Sequence, residues 1–312
     1  MFKSVVFFSE SGIVGKVPRD FPNARNDIAW SIMMNADWCP YGKRPEKKYE
    51  LGIVTIPKTN PNIDFDILKQ YCDKIAVMQE GPHWYFQDYS VEQQFQFVEN
   101  LRKADWVWCH NKSDVSYYKG LGCKDVRVMR TLMLPEGLNC QLTTSQKKGI
   151  LLGGNFTSWY SGLDSYLIAH AVNEPITNVS MGRKQEEENM IPDITYLPYM
   201  NWRDWIDECG KYKVGVHMMR THAAGTFSMN LSWHGTPCLG YYGLDTQDLL
   251  HPQTTVEVGD ITGAQQILKR LCDDEFFYQE CSEQTKSLFE KYYSEDAWLE
   301  DFKKVNKEFN NG

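Results

Sequence analysis

The sequence lacks any run of about 18 apolar residues, the length that a helix needs to cross a membrane. Its apolar start, from Phe2 to Phe8, is cut short by Glu10 and predicts a buried first strand rather than a signal peptide. Nine cysteines are present, but no two of them form a Cys-x-x-Cys pair. Scattered thiols are typical of a reducing cytosol and argue against a disulfide framework or a zinc site. We therefore expect a cytoplasmic protein with no membrane partner.

Two further features are missing: an internal repeat, and a set of His, Asp and Glu residues with metal-ligand spacing. The first absence excludes a solenoid or a propeller. The second means that nothing in the sequence indicates a bound metal, although a divalent ion on a diphosphate ligand would be chemically compatible. We expect no tightly bound cofactor.

The chain does contain enough apolar sequence for two buried cores. Of its 312 residues, 42% are hydrophobic and 13% are aromatic, which excludes a disordered protein. The net charge of −8 is unevenly distributed. Residues 1–149 hold 20 basic and 17 acidic residues, a balance of +3, whereas residues 150–312 hold 13 and 24, a balance of −11. The N-terminal half is therefore the only candidate for binding a polyanion.

Short apolar runs alternate with amphipathic stretches, which is typical of parallel sheets covered by helices. The first half predicts strands at 3–9, 50–56, 75–79, 105–109 and 125–129, with helices at 24–36, 64–73, 91–103 and 113–121. A linker at 133–148 follows, and the second half predicts strands at 149–152, 176–181, 194–197, 213–218 and 237–241, with helices at 162–171, 201–210, 226–233 and 263–292. We expect an α/β protein with two Rossmann-like doubly wound domains, at 1–140 and 146–290, facing each other across a cleft. A helical tail at 291–312 is expected to pack back on the first domain.

The most informative segment is 213–241, where a buried strand ends at His217 and Gly225 opens a short helix. Backbone N–H groups of Thr226, Phe227 and Ser228 would point out of that helix start without helical partners. Such a helix end binds anions well, because unsatisfied donors and the helix dipole act together. Asn230, one turn further on, could reach hydroxyl groups of the same ligand. An ordinary strand-loop-helix of any α/β domain has the same spacing.

This segment resembles the donor-binding domain of nucleotide-sugar glycosyltransferases with the two-domain GT-B fold. Gly225 and the run Gly235-Thr236-Pro237 match the family pattern. The resemblance implies that residues 225–228 hold the donor diphosphate, of a UDP-sugar above all, and that Asn230 binds the ribose. The two glutamates of the family pattern are replaced by His222 and Asn230, so the carboxylate that lies near the transferred sugar in that family is missing at position 222.

A second matching element follows the strand at 149–152. Gly153 and Gly154 would let the backbone approach a ligand closely, and Asn155 stands where family members often carry a phosphate-clamping cation. Arg183 and Arg220 are the available replacements for that clamp. Tyr199 follows the next predicted strand, where the family packs the nucleobase. Each of the three side chains could equally be an ordinary surface or core-covering group.

Three polar stretches in the N-terminal half follow predicted strands or open a helix, where they would line the cleft. His83 and Asp27 are the catalytic candidates, as an acid or base titrating near neutrality and as a base for an acceptor hydroxyl, although Asp27 could equally cap a helix. The acceptor-binding candidates are Glu10, Ser11, Gly12, Arg25, Asn26 and Trp84.

The stretches at 9–30, 78–90 and 109–121 resemble glycosyltransferases encoded by T-even-like phages and cyanophages. For such phages the resemblance implies an acceptor that is a hydroxylated or hydroxymethylated cytosine in double-stranded DNA, inside an infected bacterial cell. Cations at 19–48, interleaved with Trp30 and Trp38, could form a nucleic-acid face, or a solvated surface beside core aromatics. The alternatives are a glycan or small-molecule acceptor, and a GT-B-like binding module without catalysis.

Overall fold

A computed structural model describes residues 2–10, 12–56, 63–79, 81, 89–138, 142–157, 160–179, 184 and 186–307. The chain forms two compact units. The N-terminal unit consists of Met1–Leu134, His222–Ala224 and Glu295–Gly312, and the C-terminal unit consists of Pro135–Thr221 and Gly225–Ser294. Three residues of a loop that starts and ends in the C-terminal unit therefore belong to the N-terminal one.

The N-terminal unit is built on a seven-stranded sheet. Its strands are β1 (Val5–Ser9), β2 (Gly15–Lys16), β3 (Asp37–Pro40), β4 (Tyr49–Thr55), β5 (Cys72–Met78), β6 (Trp106–Cys109) and β7 (Val126–Val128). They lie in the order β2-β3-β1-β4-β5-β6-β7, and every neighbouring pair is parallel except β2 with β3. Its helices are α1 (Asn26–Met33), α2 (Phe65–Leu68), α3 (Val91–Lys103), α4 (Val115–Gly120) and α11 (Glu295–Val305).

Aromatic side chains fill one face of this sheet. Trp30 of α1 is fully buried and contacts the ring of Trp108 on β6 at 5.9 Å and that of Trp298 on α11 at 5.5 Å, centre to centre. The indole N–H of Trp298 donates to the carbonyl oxygen of Arg130 at 2.8 Å. Such rings remove large apolar areas from water, so α11 forms an integral part of this core.

The C-terminal unit has a six-stranded sheet whose pairs are all parallel. Its strands are β8 (Ile150–Leu152), β9 (Ile176–Asn178), β10 (Ile194–Tyr196), β11 (Val214–His217), β12 (Cys238–Tyr241) and β13 (Thr255–Val256). Its helices are α5 (Gly162–Ala169), α6 (Trp202–Cys209), α7 (Thr226–Trp233), α8 (Asp245–Leu250), α9 (Ile261–Asp273) and α10 (Glu275–Tyr293). The order β10-β9-β8-β11-β12-β13 is that of a dinucleotide-binding fold. The predicted α/β class with two Rossmann-like domains is confirmed.

Several predicted elements differ in detail. The structure adds β2 and β3 at the edge of the first sheet, and β13 and α8 in the second unit. The single helix predicted at 263–292 is interrupted at Asp274, whose side chain accepts a hydrogen bond from the Phe277 N–H at 3.0 Å and so begins a new helix. None of the helices in the described ranges is long and apolar enough to cross a membrane.

Candidate functional site

In the C-terminal unit, the order of strands along the chain reverses between β8 and β11. Ligands of open α/β sheets bind just beyond the carboxyl ends of the strands at such a point. Three residues occupy this position: Gly153 directly after β8, Asn178 at the end of β9 and His217 at the end of β11. Of these three, Gly153 is a donor-binding residue predicted from the sequence, whereas Asn178 and His217 are found from the structure.

Gly153 is a glycine because His217 lies against it. A Cβ atom at position 153 would be 2.6 Å from Cγ of the His217 ring, and the Gly153 N–H donates to the carbonyl oxygen of Val216 at 2.9 Å. Gly154 has a positive φ of 77°, and a Cβ there would be 2.9 Å from the Tyr160 side chain. The two glycines therefore allow the backbone to lie closely on two aromatic rings.

Two buried polar side chains at this point lack a hydrogen-bond partner for one atom within the described part of the chain. They are Oδ1 of Asn178, whose amide donates to the Gly154 carbonyl at 3.1 Å, and Nε2 of His217. Burial lowers the pKa of His217 to about 4, so the imidazole is neutral. An unsatisfied buried polar atom costs about 1–3 kcal/mol, so each of these atoms calls for a water or ligand partner.

The loop after β11 ends at Gly225, which precedes the first residue of α7. Gly225 has a positive φ of 66°, and a Cβ there would overlap Oγ1 of Thr246. The first intrahelical bond runs from the Met229 N–H to the Gly225 carbonyl, so the amides of Thr226, Phe227 and Ser228 precede the helical ladder. The predicted helix start is present, with a glycine at the position that has a positive φ, and its binding of an anion stays a prediction.

Side chains of this first turn are anchored in the protein. The Ser228 hydroxyl donates to Thr246 Oγ1 at 2.9 Å, and the Phe227 ring lies 5.1 Å from that of His217. At Phe227 and Ser228, the backbone amide rather than the side chain is thus suited to bind a ligand. Asn230 is 2% exposed, and its Oδ1 has no hydrogen-bond partner in the described ranges. Its predicted role on a ribose stays a prediction.

Arg220 is half-exposed but already engaged. Its guanidinium donates to Oδ2 of Asp164 at 2.6 Å, and the same oxygen accepts from the Tyr241 hydroxyl at 3.0 Å. The hydrogen bond with Asp164 raises the pKa of Arg220 above its usual value. A phosphate at this position would compete with Asp164 for the guanidinium.

Of the remaining predicted donor residues, the structure describes Asn155 and Tyr199. Asn155 is buried and its Oδ1 accepts from the Thr157 hydroxyl at 2.6 Å, so this oxygen takes part in a turn, and the role of Asn155 at the donor stays a prediction. Tyr199 is 65% exposed beyond the edge strand β10. Arg183 lies outside the described residues.

In the N-terminal unit, three of the predicted acceptor residues line one depression. Glu10, Gly12 and Arg25 surround a volume of about 550 Å³ together with Ile13, Phe21, Asn23 and Ile28. A depression of this size accommodates a nucleoside or a sugar. Ser11, His83 and Trp84 lie outside the described residues.

Asp27 and Asn26 are both held by neighbours. Oδ1 and Oδ2 of Asp27 accept from Nε and Nη2 of Arg25 at 2.9 and 3.0 Å, and Oδ2 also accepts from the Ser9 hydroxyl at 3.2 Å. Asn26 Oδ1 accepts from the Leu132 N–H at 2.9 Å. Asp27 could therefore act as a base only after releasing Arg25, and its catalytic role stays a prediction.

Sequence reasoning missed a cluster of side chains beyond β5 and β6: Gln79, Asn111, Asp114 and His222. Asp114 is fully buried, and its Oδ1 lies 2.9 Å from Nδ1 of His222. Gln79 and Asn111 follow the carboxyl ends of β5 and β6, a position that in itself predicts residues near a ligand site. The pairing of Asp114 with His222 has no sequence signal, because the two residues are 108 positions apart.

The interpretation of residues 19–48 as a basic face with stacking aromatics is wrong for its two tryptophans. Trp30 is 0% and Trp38 is 1% exposed, and the ring of Trp38 stacks on Phe7 in the core. The cations Lys43, Arg44 and Lys48 are exposed. In the described ranges, no group of three or more His, Cys, Asp or Glu residues is arranged to hold a metal ion.

Comparison with known proteins gives no match to a protein family or to a curated sequence. Solved structures do match. A sucrose-phosphate synthase from Thermosynechococcus elongatus aligns with 99% of this chain and 100% of its own, at 11% identity and a TM-score of 0.68. Anabaena HepE, in complex with UDP and glucose, aligns over 98% and 100%, at 8% identity and a TM-score of 0.66. An α-glucosyltransferase in complex with UDP and a 13-mer DNA containing a HMU base aligns over 97% and 98%, at 11% identity and a TM-score of 0.65. These likenesses show the GT-B fold.

Proposed function

We propose that this protein is a glycosyltransferase that moves a sugar from a UDP-sugar to an acceptor hydroxyl. The observation that carries the proposal is the geometry at the reversal point of the second sheet, which is flanked by the glycines at 153–154 and by the start of α7 at Gly225. Backbone amides at a helix start are suited to a diphosphate. The GT-B fold supports the same assignment, since similar structures contain UDP.

Donor binding is tested by thermal unfolding with a panel of nucleotide sugars. A ligand that binds only the native state at 100 times its Kd stabilises it by about 2.7 kcal/mol. We expect UDP and at least one UDP-sugar to raise the Tm. Uridine, which lacks the diphosphate, and inorganic phosphate, which lacks the nucleoside, are the controls and should raise it less. If none of the nucleotides shifts the Tm, or if UDP binds to residues 1–134, the proposal is wrong.

For the acceptor we propose a hydroxylated or hydroxymethylated cytosine in phage DNA, bound by the N-terminal unit. Support comes from the similar structure with a modified DNA and from the exposed cations at 43–48. A base in a duplex must be extruded to reach an active site, and the depression beside Arg25 is large enough for a nucleoside. A glycan or small alcohol is the alternative acceptor.

Binding to such DNA should depend steeply on salt, because each neutralised phosphate releases counterions. Lys47 is paired with Asp37 at 2.9 Å, so the better variant replaces Arg44 and Lys48 with glutamine. If both contact phosphates, the slope of log K against log salt should flatten by about 1.8. The matched control replaces two exposed lysines of the C-terminal unit, Lys269 and Lys286, and should leave the slope unchanged.

Transfer itself is followed with radiolabelled UDP-sugars and duplexes that contain hydroxymethylcytosine, hydroxycytosine or plain cytosine. We expect label in the first two only, since plain cytosine offers no comparable nucleophile. Label that enters a saccharide or small alcohol but none of the duplexes would contradict the DNA acceptor and leave the glycosyltransferase proposal standing.

A second candidate, a GT-B-shaped binding module without catalysis, is favoured by the loss of both family glutamates at His222 and Asn230. Such a module would bind UDP-sugars but would not cleave them, so no free UDP would be formed. Slow hydrolysis of UDP-glucose in the absence of an acceptor is expected of a glycosyltransferase and not of a binding module.

A further inference from the structure

An ion pair lies at the carboxyl edge of the sheet in the C-terminal unit. Arg220 follows β11 by three residues, and its Nε and Nη2 both donate to Oδ2 of Asp164 on α5, at 3.2 and 2.6 Å. Tyr241, the last residue of β12, donates from its hydroxyl to the same oxygen at 3.0 Å. The pair therefore belongs to the edge of the sheet at which ligands of this fold bind.

Arg220 is exposed although its neighbours in the loop after β11 are buried. Met219 and Thr221 are each 4% exposed, whereas 52% of the Arg220 side chain is exposed. The Met218 N–H donates to the Ser165 hydroxyl oxygen at 3.0 Å, which fixes the start of the loop to α5. The guanidinium can therefore change its partner by side-chain rotation while the backbone of the loop stays in place.

Asp164 remains stabilised when Arg220 leaves it. The Tyr241 hydroxyl still donates to Oδ2, and burial raises the pKa of Tyr241 to about 12, so this donor keeps its proton at neutral pH. Asp164 also lies in the first turn of α5, where the helix dipole favours a negative charge. Release of the guanidinium therefore leaves the carboxylate with two stabilising partners, and does not strand an unpaired buried charge.

A phosphate is the stronger partner for this guanidinium. Two N–H groups of Arg220 share a single oxygen of Asp164, and an ion pair with an exposed member is weakened by water and salt. A diphosphate carries more negative charge than a carboxylate and accepts two parallel hydrogen bonds from one guanidinium. A diphosphate bound at the start of α7 would therefore attract Arg220 away from Asp164.

We propose that Asp164 is an internal competitor of the donor diphosphate: it holds Arg220 in the free protein and releases it to a phosphate when the nucleotide sugar binds. This rests on the proposed donor site in the C-terminal unit. Only the fraction of molecules in which Arg220 is released binds the donor with full affinity, so the side chain at position 164 sets the apparent Kd.

Calorimetric titration with UDP tests the exchange. Asp164→Asn removes the competing charge but keeps an oxygen for the Tyr241 hydroxyl, and should tighten UDP binding by about fivefold. Asp164→Ala, which also removes that oxygen, should tighten it in the same way and covers the case in which an asparagine still holds the guanidinium. Arg220→Gln should weaken UDP binding by about tenfold, because a charge-assisted hydrogen bond to the phosphate is lost.

The decisive variant combines both substitutions. In the Arg220→Gln background, Asp164→Asn should leave the affinity for UDP unchanged, because the cation for which the two anions compete is gone. A general repulsion between Asp164 and the diphosphate would instead tighten UDP binding equally in both backgrounds. That result would overturn the inference.

The exposed pair of Arg270 with Asp274 in the same unit provides the matched control. Asp274→Asn removes the same charge, and because asparagine also caps helices well, α10 and the wild-type affinity for UDP should both be retained. The inference is also wrong if Asp164→Asn and Asp164→Ala bind UDP no more tightly than wild type, or if Arg220→Gln keeps the wild-type affinity. Wild-type protein that binds no UDP would instead refute the proposed function itself.

Discussion

Replacing Gly225 with alanine should weaken UDP binding by a factor of about 100 or more, equivalent to about 2.7 kcal/mol. Gly225 has a left-handed φ of 66° directly before α7, and an added Cβ would overlap Thr246 Oγ1. An L-residue in that conformation costs about 1–2 kcal/mol by itself. Relief of the overlap must move the first turn of α7, and with it the amides that we propose hold the diphosphate. Isothermal titration calorimetry with UDP measures the loss.

Gly259 offers a matched control in the same unit. It also has a positive φ, of 91°, but a Cβ there would meet nothing within 4 Å. Gly259→Ala should carry the backbone strain, seen as a lower Tm, and retain wild-type affinity for UDP. If Gly225→Ala binds UDP as tightly as Gly259→Ala does, the nucleotide does not use the start of α7.

Lowering the pH from 7 to about 4 should destabilise the C-terminal unit by several kcal/mol. Burial lowers the pKa of both His217 and His251 to about 4, below the value of about 6.5 in an unfolded chain. Between these values the unfolded chain binds more protons, so stability is complete above about pH 6.5 and is lost as the pH falls towards 4. Each histidine contributes on the order of 3 kcal/mol.

The contacts of His251 explain why it resists protonation. Its Nδ1 accepts from the Cys238 N–H at 3.1 Å, and its Nε2 lies 3.0 Å from the Ser228 carbonyl, so only the neutral ring satisfies both. We expect His251→Gln to lower the Tm at pH 7 but to flatten its fall between pH 6.5 and 4. His170→Gln, at an exposed site, should leave the pH dependence unchanged. A pH dependence equally steep in His251→Gln and in wild type would contradict this account.

Periodicity predicted the interior of both sheets, because fully buried parallel strands such as β1 and β11 are nearly continuous apolar runs. It missed β3, whose four residues begin with Asp37 and end with Pro40, since only Trp38 and Cys39 between them are apolar and two residues make no recognisable run. The helix start at Gly225 was also predictable from local sequence, because glycine adopts a positive φ at little cost and is common where the chain turns into a helix.

What the sequence could not supply is contact between distant residues. Arg25 neutralises Asp27 and Asp164 occupies Arg220, so two candidates that look available in the sequence are already paired. Trp30 and Trp38 stand among cations in the sequence, yet ring contacts in the N-terminal unit bury both. Asp114 and His222 come together only through the tertiary fold.

Because α11 belongs to the core of the N-terminal unit, it affects the order in which the two units can complete their folding during synthesis. Trp298 and Phe302 of α11 cover Trp30 and Trp108, so these indoles have no complete apolar surroundings while the chain is still emerging. The C-terminal unit, by contrast, is complete once Ser294 has left the exit tunnel. Domains fold as units during translation. The N-terminal unit, whose synthesis begins first, is therefore the one whose core is completed last. Until α11 has been made, the ring faces of Trp30 and Trp108 that it covers stay open to solvent.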